Sequence, residues 1–183
     1  MDAATLAQVL ADADCLADEA RVAAAVSAVA QRITAELAGE FPVVLCVMRG
    51  GVVFAGQVLT QLRFPLEFDY VHATRYGDAT TGGALQWRVQ PTVSLEGRAV
   101  LLLDDILDVG ATLDAIADEC RARGASVVRT AVLVEKQHDR KARPGLRPDY
   151  AALTVPDRYV FGCGMDYRGF WRNAPGIYAV KGL

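Results

Sequence analysis

Val100-Leu101-Leu102-Leu103-Asp104-Asp105-Ile106-Leu107-Asp108-Val109-Gly110-Ala111-Thr112-Leu113 runs from an apolar stretch into two acids, then into a third acid and a turn of small residues. Four consecutive branched apolar residues read as a strand buried on both faces, the pattern of a parallel sheet. The strand delivers Asp104 and Asp105 to its carboxyl end. Asp108, Gly110 and Thr112 then shape a turn that opens a helix over Thr112 to Arg123, stopped at Gly124. Small residues let backbone N–H groups approach an anion, and a helix N-terminus adds positive partial charge, so the turn suits a phosphate. The carboxylates suit sugar hydroxyls, or a metal that the phosphate also touches. Sugar plus phosphate is the ligand this chemistry asks for. A plain structural role, with Asp108 capping the helix and the acid pair on a solvated loop, fits less well with two acids directly behind a buried strand.

The flanks repeat the same architecture. Phe41-Pro42 opens the apolar run Val43 to Met48, which breaks at Arg49-Gly50-Gly51 and continues as a helical segment from Val52 to Leu62. Leu66 to Ala73, Leu85 to Val89, and Val127 to Val134 before Glu135-Lys136 are further strand candidates, as are Tyr150–Val155 and Tyr159–Phe161. Thr74 to Gly83 is polar and Gly/Thr-rich, the composition of a functional loop. In residues 3–38, Leu16, Val22, Val26, Val29, Ile33 and Leu37 recur at helical spacings and define one apolar face that ends at Gly39. Strand and helix alternate over residues 43–134, so an α/β fold with a mostly parallel central sheet flanked by helices is expected. Ligands in such sheets bind beyond the carboxyl ends of the strands. That rule singles out Met48–Gly51 and Asp104–Thr112.

Composition limits the partners. A chain of 183 residues with 52 % hydrophobic residues fits one domain with an adequate core. A net charge of −3 lacks the basic excess of a nucleic-acid binder. Cys15, Cys46, Cys120 and Cys163 form no metal or disulfide spacing, and Cys46 and Cys120 fall inside apolar patterns as small core residues. No apolar run reaches the roughly 18 residues of a membrane span. Met1 to Leu10 has no basic residue, so a cytoplasmic protein is expected. No G-x-x-x-x-G-K-[ST] or G-x-G-x-x-G motif occurs.

The 100–113 segment resembles the phosphoribosyl-pyrophosphate signature of type I phosphoribosyltransferases, with Val109 where a threonine is usual. Met48-Arg49-Gly50-Gly51 resembles the pyrophosphate loop of the hypoxanthine-guanine members, often with lysine at the arginine position. Leu133-Val134-Glu135-Lys136 resembles their purine-lysine motif. Val155 to Tyr167, with Arg172, resembles their C-terminal purine and metal segment. The resemblance covers most of residues 40–175. It implies one phosphoribosyltransferase domain over 1–183, with a core at about 40–150 and a small hood from about 1–15 and 150–183.

The implied reaction moves the 5-phosphoribosyl group from phosphoribosyl pyrophosphate to N9 of a 6-oxopurine and releases pyrophosphate, with Mg²⁺ as cofactor. By this resemblance Asp104 and Asp105 take the ribose hydroxyls directly or through Mg²⁺. Asp108, Val109, Gly110, Ala111 and Thr112 cradle the 5′-phosphate, and Asp108 is the general acid/base at purine N7. Val109 removes one hydroxyl donor there and leaves the backbone N–H. Arg49, Gly50 and Arg172 serve pyrophosphate. Lys136 donates to the oxygen at purine C6, Tyr159 stacks on the base and Val160 meets its edge. Asp166 binds a second Mg²⁺. Arg75 and Tyr76 belong to a catalytic lid. A homodimer or homotetramer is implied. Two other readings bear on the same residues. One is a regulatory nucleotide sensor that binds nucleic acid through Arg140, Lys141, Arg143 and Arg147. The other is a receiver-like phosphate-binding domain, in which the tail motif has no purpose.

Overall fold

A computed structural model describes residues 1–75 and 85–182. A six-stranded sheet forms its centre, built from β2 (Val43–Val47), β3 (Glu67–Arg75), β4 (Leu85–Val89), β5 (Ala99–Leu107), β6 (Val127–Gln137) and β7 (Tyr150–Pro156). Its strand order is β4-β3-β2-β5-β6-β7; β3 and β4 are antiparallel and every other pair is parallel. A second, three-stranded sheet joins β1 (Asp14–Ala17), β9 (Ile177–Ala179) and β8 (Val160–Phe161). Val160 of β8 lines a cavity with Asp105, Asp108 and Lys136, so this small sheet lies beside the carboxyl ends of β5 and β6, where a hood is expected.

The buried strands carry two cores. Val44, Cys46, Leu101, Leu103, Ala131 and Leu133 pack with α2 (Glu19–Leu37) and α3 (Val52–Leu59). Val43, Leu45, Val100, Leu102, Val128 and Val132 pack with α4 (Ala111–Ala122). Alternate residues of one strand thus feed opposite faces, which is why these strands read as unbroken apolar runs. Val160, Cys163, Met165 and Ile177 of the hood join the first core, so the hood is anchored by burial. Trp171 Nε1–H donates to the Leu6 carbonyl at 2.8 Å and ties the tail to α1 (Ala3–Asp12).

Several boundaries differ from the sequence expectation. The apolar face of residues 3–38 belongs to two helices separated by β1. Asp18 caps α2, accepting the Arg21 N–H at 2.8 Å, and Leu16 lies in β1, which pairs with β9. The gap of six residues between Leu16 and Val22 fits a helical face but does not require a continuous helix. Tyr150–Pro156 joins the central sheet as its edge strand, so the hood's tail portion starts later, at β8. Strand β5 continues to Leu107 because β6 pairs with it that far, Leu107 opposite Glu135. The acid pair therefore lies inside the strand rather than after it. Cys46 and Cys120 are buried thiols, and burial first of all pushes them up, to about 12 and about 11.

The chain between β4 and β5 is stapled by Asp69, which is only 8 % exposed. Its carboxylate accepts Thr92 N–H at 2.7 Å, Thr92 Oγ1–H at 2.9 Å and Tyr70 N–H at 2.8 Å. Burial pushes this carboxyl up, but the hydrogen bonds outweigh it and hold it below the usual range. Asp69→Ala should cost about 1–3 kcal/mol in urea unfolding at neutral pH. A carboxyl lowered in the folded state stabilises at neutral pH and loses that contribution as pH falls through its folded value. The gap between the two proteins should therefore close in acid; a constant gap would assign the loss to packing.

Candidate active site

Three loops converge at the carboxyl ends of β2, β5 and β6. After β2 the Met48–Arg49 peptide is cis, and Gly50-Gly51 runs against β5. A Cβ on Gly50 would fall 1.7 Å from Asp105 Oδ2, and one on Gly51 would fall 2.6 Å from the Leu103 carbonyl. Glycine at both positions is what allows this approach. Gly164 of the hood adopts φ +104°, and its absent Cβ would meet the Gly50 carbonyl at 2.2 Å. Loop, strand and hood thus close on one another around Asp105.

Asp104 and Asp105 lie side by side, with Asp105 N–H donating to Asp104 Oδ1 at 2.9 Å. Burial, and then the charge of Asp105, push the Asp104 carboxyl well above its ordinary value. Burial also raises Asp105, partly offset by Asp104 and Arg172. Arg172 Nη1 stands 3.9 Å from Asp105 Oδ2, beyond hydrogen-bond distance. Two hard oxygen donors this short of positive charge fit a divalent cation such as Mg²⁺. Arg172 itself donates to the Gly164 carbonyl at 2.6 Å and pairs with Asp166 Oδ1 at 2.5 Å. Asp166 Oδ2 accepts the Gly169 N–H at 2.6 Å. Arg172 and Asp166 are therefore partners of each other across the hood.

Asp108 follows β5 and does not cap α4. The cap is Gly110, at φ +82°, with no side-chain hydrogen bond. Val109, Gly110, Ala111 and Thr112 are all partly exposed at the start of α4. Freed from capping, Asp108 accepts Lys136 Nζ–H on Oδ2 at 2.9 Å and contacts His138 Nε2 through Oδ1 at 2.7 Å. Burial raises this carboxyl, but Lys136 and His138 outweigh it and hold it below the usual carboxylate range. Strand β6 runs to Gln137, so Lys136 is its penultimate residue rather than a residue beyond it. A cavity of about 230 Å³ gathers Asp105, Ile106, Asp108, Lys136, Tyr159, Val160, Met165 and Asp166. Tyr159 is 40 % exposed and edge-on to Tyr167 at 5.7 Å, so it is not a core aromatic. Val160 is buried in β8 and lines the same space.

The structure thus brings Asp105, Asp108, Lys136, Tyr159, Val160 and Asp166 to one cavity. Arg49 is exposed on the β2 loop and is not one of the residues lining that cavity, although its neighbour Gly50 packs on Asp105. Arg75 ends β3, and Tyr76 with the rest of the expected lid lies outside the described residues. The arginines of the basic cluster are exposed, and each of its cations stands beside a carboxylate or carbonyl of the fold. Arg140 is bidentate to Asp157, Arg143 to Asp114, and Arg147 stands 3.8 Å from Glu135. Lys141 Nζ donates to the carbonyls of Leu107, Asp108 and Lys136 at 3.3, 2.8 and 2.8 Å. It stitches the ends of β5 and β6 together. The sequence places His138 in no metal or cysteine cluster and gives it no other role; its one signal is that it stands two residues after Lys136, just past the end of β6, where the strand's alternation still points to the same face.

A family model for the phosphoribosyl transferase domain matches residues 12–168. A hypoxanthine-guanine phosphoribosyltransferase of Bacillus subtilis is 30 % identical over 167 residues, covering 91 % of this chain and 92 % of the relative. One from Streptococcus thermophilus is 31 % identical over 152 residues, covering 82 % and 83 %. Among solved structures, a hypoxanthine phosphoribosyltransferase from Staphylococcus aureus superposes with a TM-score of 0.88 at 25 % identity, covering 99 % of this chain and 96 % of that one. With the family model covering residues 12–168 and these relatives aligned over most of both chains, the chain belongs to the phosphoribosyltransferase family, beside its hypoxanthine-guanine members.

Proposed function

We propose that this protein transfers the 5-phosphoribosyl group from phosphoribosyl pyrophosphate to N9 of hypoxanthine or guanine, giving IMP or GMP and pyrophosphate in purine salvage. The observation that carries this reading is the Asp108–Lys136 pair facing a base-sized cavity beside Tyr159. A 6-oxopurine presents an acceptor at O6 and, as the N7–H tautomer, a donor at N7. Lys136 donates to O6, and Asp108 takes the N7 proton as the N9 lone pair bonds to the anomeric carbon. The bond to pyrophosphate breaks in the same displacement, through an oxocarbenium-like state. A 6-aminopurine would set its amino donor against the Lys136 ammonium, which disfavours adenine. Tyr159 stacks on the base and Val160 meets its edge.

The turn from Asp108 to Thr112 holds the 5′-phosphate through backbone N–H groups at the start of α4. Arg49, Gly50 and Arg172 serve the pyrophosphate, and Arg75 and Tyr76 belong to the lid that the family resemblance implies. Asp104 and Asp105 would hold ribose hydroxyls and Mg²⁺, and Asp166 would hold a second Mg²⁺; such ions would neutralise the leaving pyrophosphate. Arg172 has to exchange Asp166 for phosphate oxygens to serve both roles. The protein acts in the cytoplasm as a homodimer or homotetramer; Phe68 and Tyr70, exposed on alternate residues of β3, offer an apolar face for that contact. The net charge of −3 supports small-molecule substrates over a nucleic-acid partner.

The test is a spectrophotometric assay with phosphoribosyl pyrophosphate, Mg²⁺ and each of hypoxanthine, guanine, xanthine and adenine. Nucleotide should form from hypoxanthine or guanine and not from adenine. No product from any base would overturn the reading.

A further inference from the structure

His138 has no part in the transfer as described, yet it touches the group that does the chemistry. Its side chain is only 6 % exposed, and Nε2 lies 2.7 Å from Asp108 Oδ1. The other ring nitrogen decides which way that bond runs. The backbone N–H of Arg140 points at His138 Nδ1 from 3.0 Å. A backbone N–H can only donate, so Nδ1 carries the lone pair and the ring hydrogen sits on Nε2. His138 therefore donates to Asp108. The carboxylate has a different donor on each oxygen: His138 on Oδ1 and Lys136 on Oδ2.

The two donors differ in what they are free to do. Lys136 stands on the cavity lining and would turn to the purine. The His138 ring is fixed by the Arg140 backbone and is not among the cavity's lining residues. When Lys136 turns to O6, Oδ2 is released while Oδ1 stays bound. We propose that His138 is a positioning residue for the transfer, its Nε2–H holding Oδ1 of Asp108 so that Oδ2 is the oxygen that receives the purine N7 proton. This rests on Asp108 being the acid/base.

The surrounding charges fit that role. Asp157 lies close enough for its oxygen, Asp108 and His138 Nε2 to fall within 4.8 Å of one another, a grouping that could suggest a metal. Lys136 Nζ, 2.9 Å from Asp108 and 3.9 Å from Asp157, already fills the cation's place. Arg140 neutralises Asp157 further, and Lys141 grips the Asp108 and Lys136 carbonyls. The backbone is thus held by Lys141 and the carboxylate by His138.

The experiment compares His138→Phe, which fills the site without a donor, with His138→Gln, whose side-chain N–H can replace Nε2–H. Steady-state kinetics are followed across pH, together with thermal melts. His138→Phe should lower kcat about 10–100-fold, the scale of a misaligned reacting group. It should leave KM for phosphoribosyl pyrophosphate within twofold. Its acid limb of kcat should move to higher pH, because a carboxylate with fewer donors protonates more readily. His138→Gln should recover most of the rate and return the limb. Equal losses in both variants with an unmoved acid limb would reduce His138 to packing and overturn the proposal, as would an unchanged kcat in His138→Phe. Should the Phe variant melt out, the acid limb of the Gln variant decides alone: a limb at the wild-type position with kcat near wild type supports the proposal, and a loss of rate with the limb unmoved refutes it. Asp108→Asn is assayed alongside. If it keeps its turnover, the acid/base reading itself fails and takes this inference with it. If it is inactive while His138→Phe is normal, this inference alone fails.

Discussion

Asp108→Asn should lose about 10³-fold in kcat, within the range of a general acid/base, while still binding phosphoribosyl pyrophosphate. The amide keeps the shape of the carboxylate and one acceptor oxygen, so Lys136 retains a partner, but it cannot take a proton. In the proposed reaction the sugar phosphate is held by backbone N–H groups at the start of α4 and by Asp104 and Asp105, none of which the substitution changes. Titration calorimetry with phosphoribosyl pyrophosphate and Mg²⁺, beside steady-state rates, separates the two effects. Lost binding with no selective loss of turnover would make Asp108 a structural residue. The wild-type rate has a related pH signature. Lys136 and His138 overcome burial to hold the carboxyl below its ordinary range, so the proton-accepting form persists through neutral pH. It is lost only as pH falls through that lowered value.

Gly50→Ala is the other substitution with a large expected effect. The new methyl would overlap the whole Asp105 carboxyl group, 1.7 to 2.8 Å from its three atoms. A short side chain can rotate away, so the fold should survive, with a melting temperature within a few degrees of wild type. The acid beside the sugar site cannot stay where it is. A displacement of about 1 Å at a reacting site costs on the order of 100-fold, and kcat/KM for phosphoribosyl pyrophosphate should fall by at least that much. Unchanged kinetics would mean that Asp105 has no fixed role in the site.

The parts of this molecule legible in the sequence are those where local pattern and tertiary environment ask for the same residues. Strand β2 and the Ala99–Leu103 part of β5 are buried on both faces, so they are continuous apolar runs; the acids that follow Leu103 mark the site but not the end of β5, which pairs on to Leu107. The helix α4 announces itself by Gly110 before it and Gly124 after it. The break between Ala13 and Asp18 was not legible, because β1 exists only through its pairing with β9 at the far end of the chain. The edge strand β7 reads as a strand, but which sheet it joins depends on β6. The site residues were legible chiefly through the order of motifs resembling a known family. The resemblance did not reveal that Arg172 holds Asp166, that Lys141 ties the ends of two strands together, or that His138 faces Asp108. These are contacts between segments, set by the way the loops fold back, and no spacing within one segment encodes them.

The paired acids in β5 have a consequence for the lifetime of the protein. Holding Asp104 and Asp105 together out of water works against the folded chain at neutral pH, since both carboxyls ionise more readily when it unfolds. Any ligand that brings positive charge to that spot compensates the penalty, and by mass action it draws the chain toward the native state. Occupancy and folding are then one coupled equilibrium. A divalent cation held there should therefore raise the melting temperature as well as serve the transfer, whereas the anionic sugar phosphate without a cation should not.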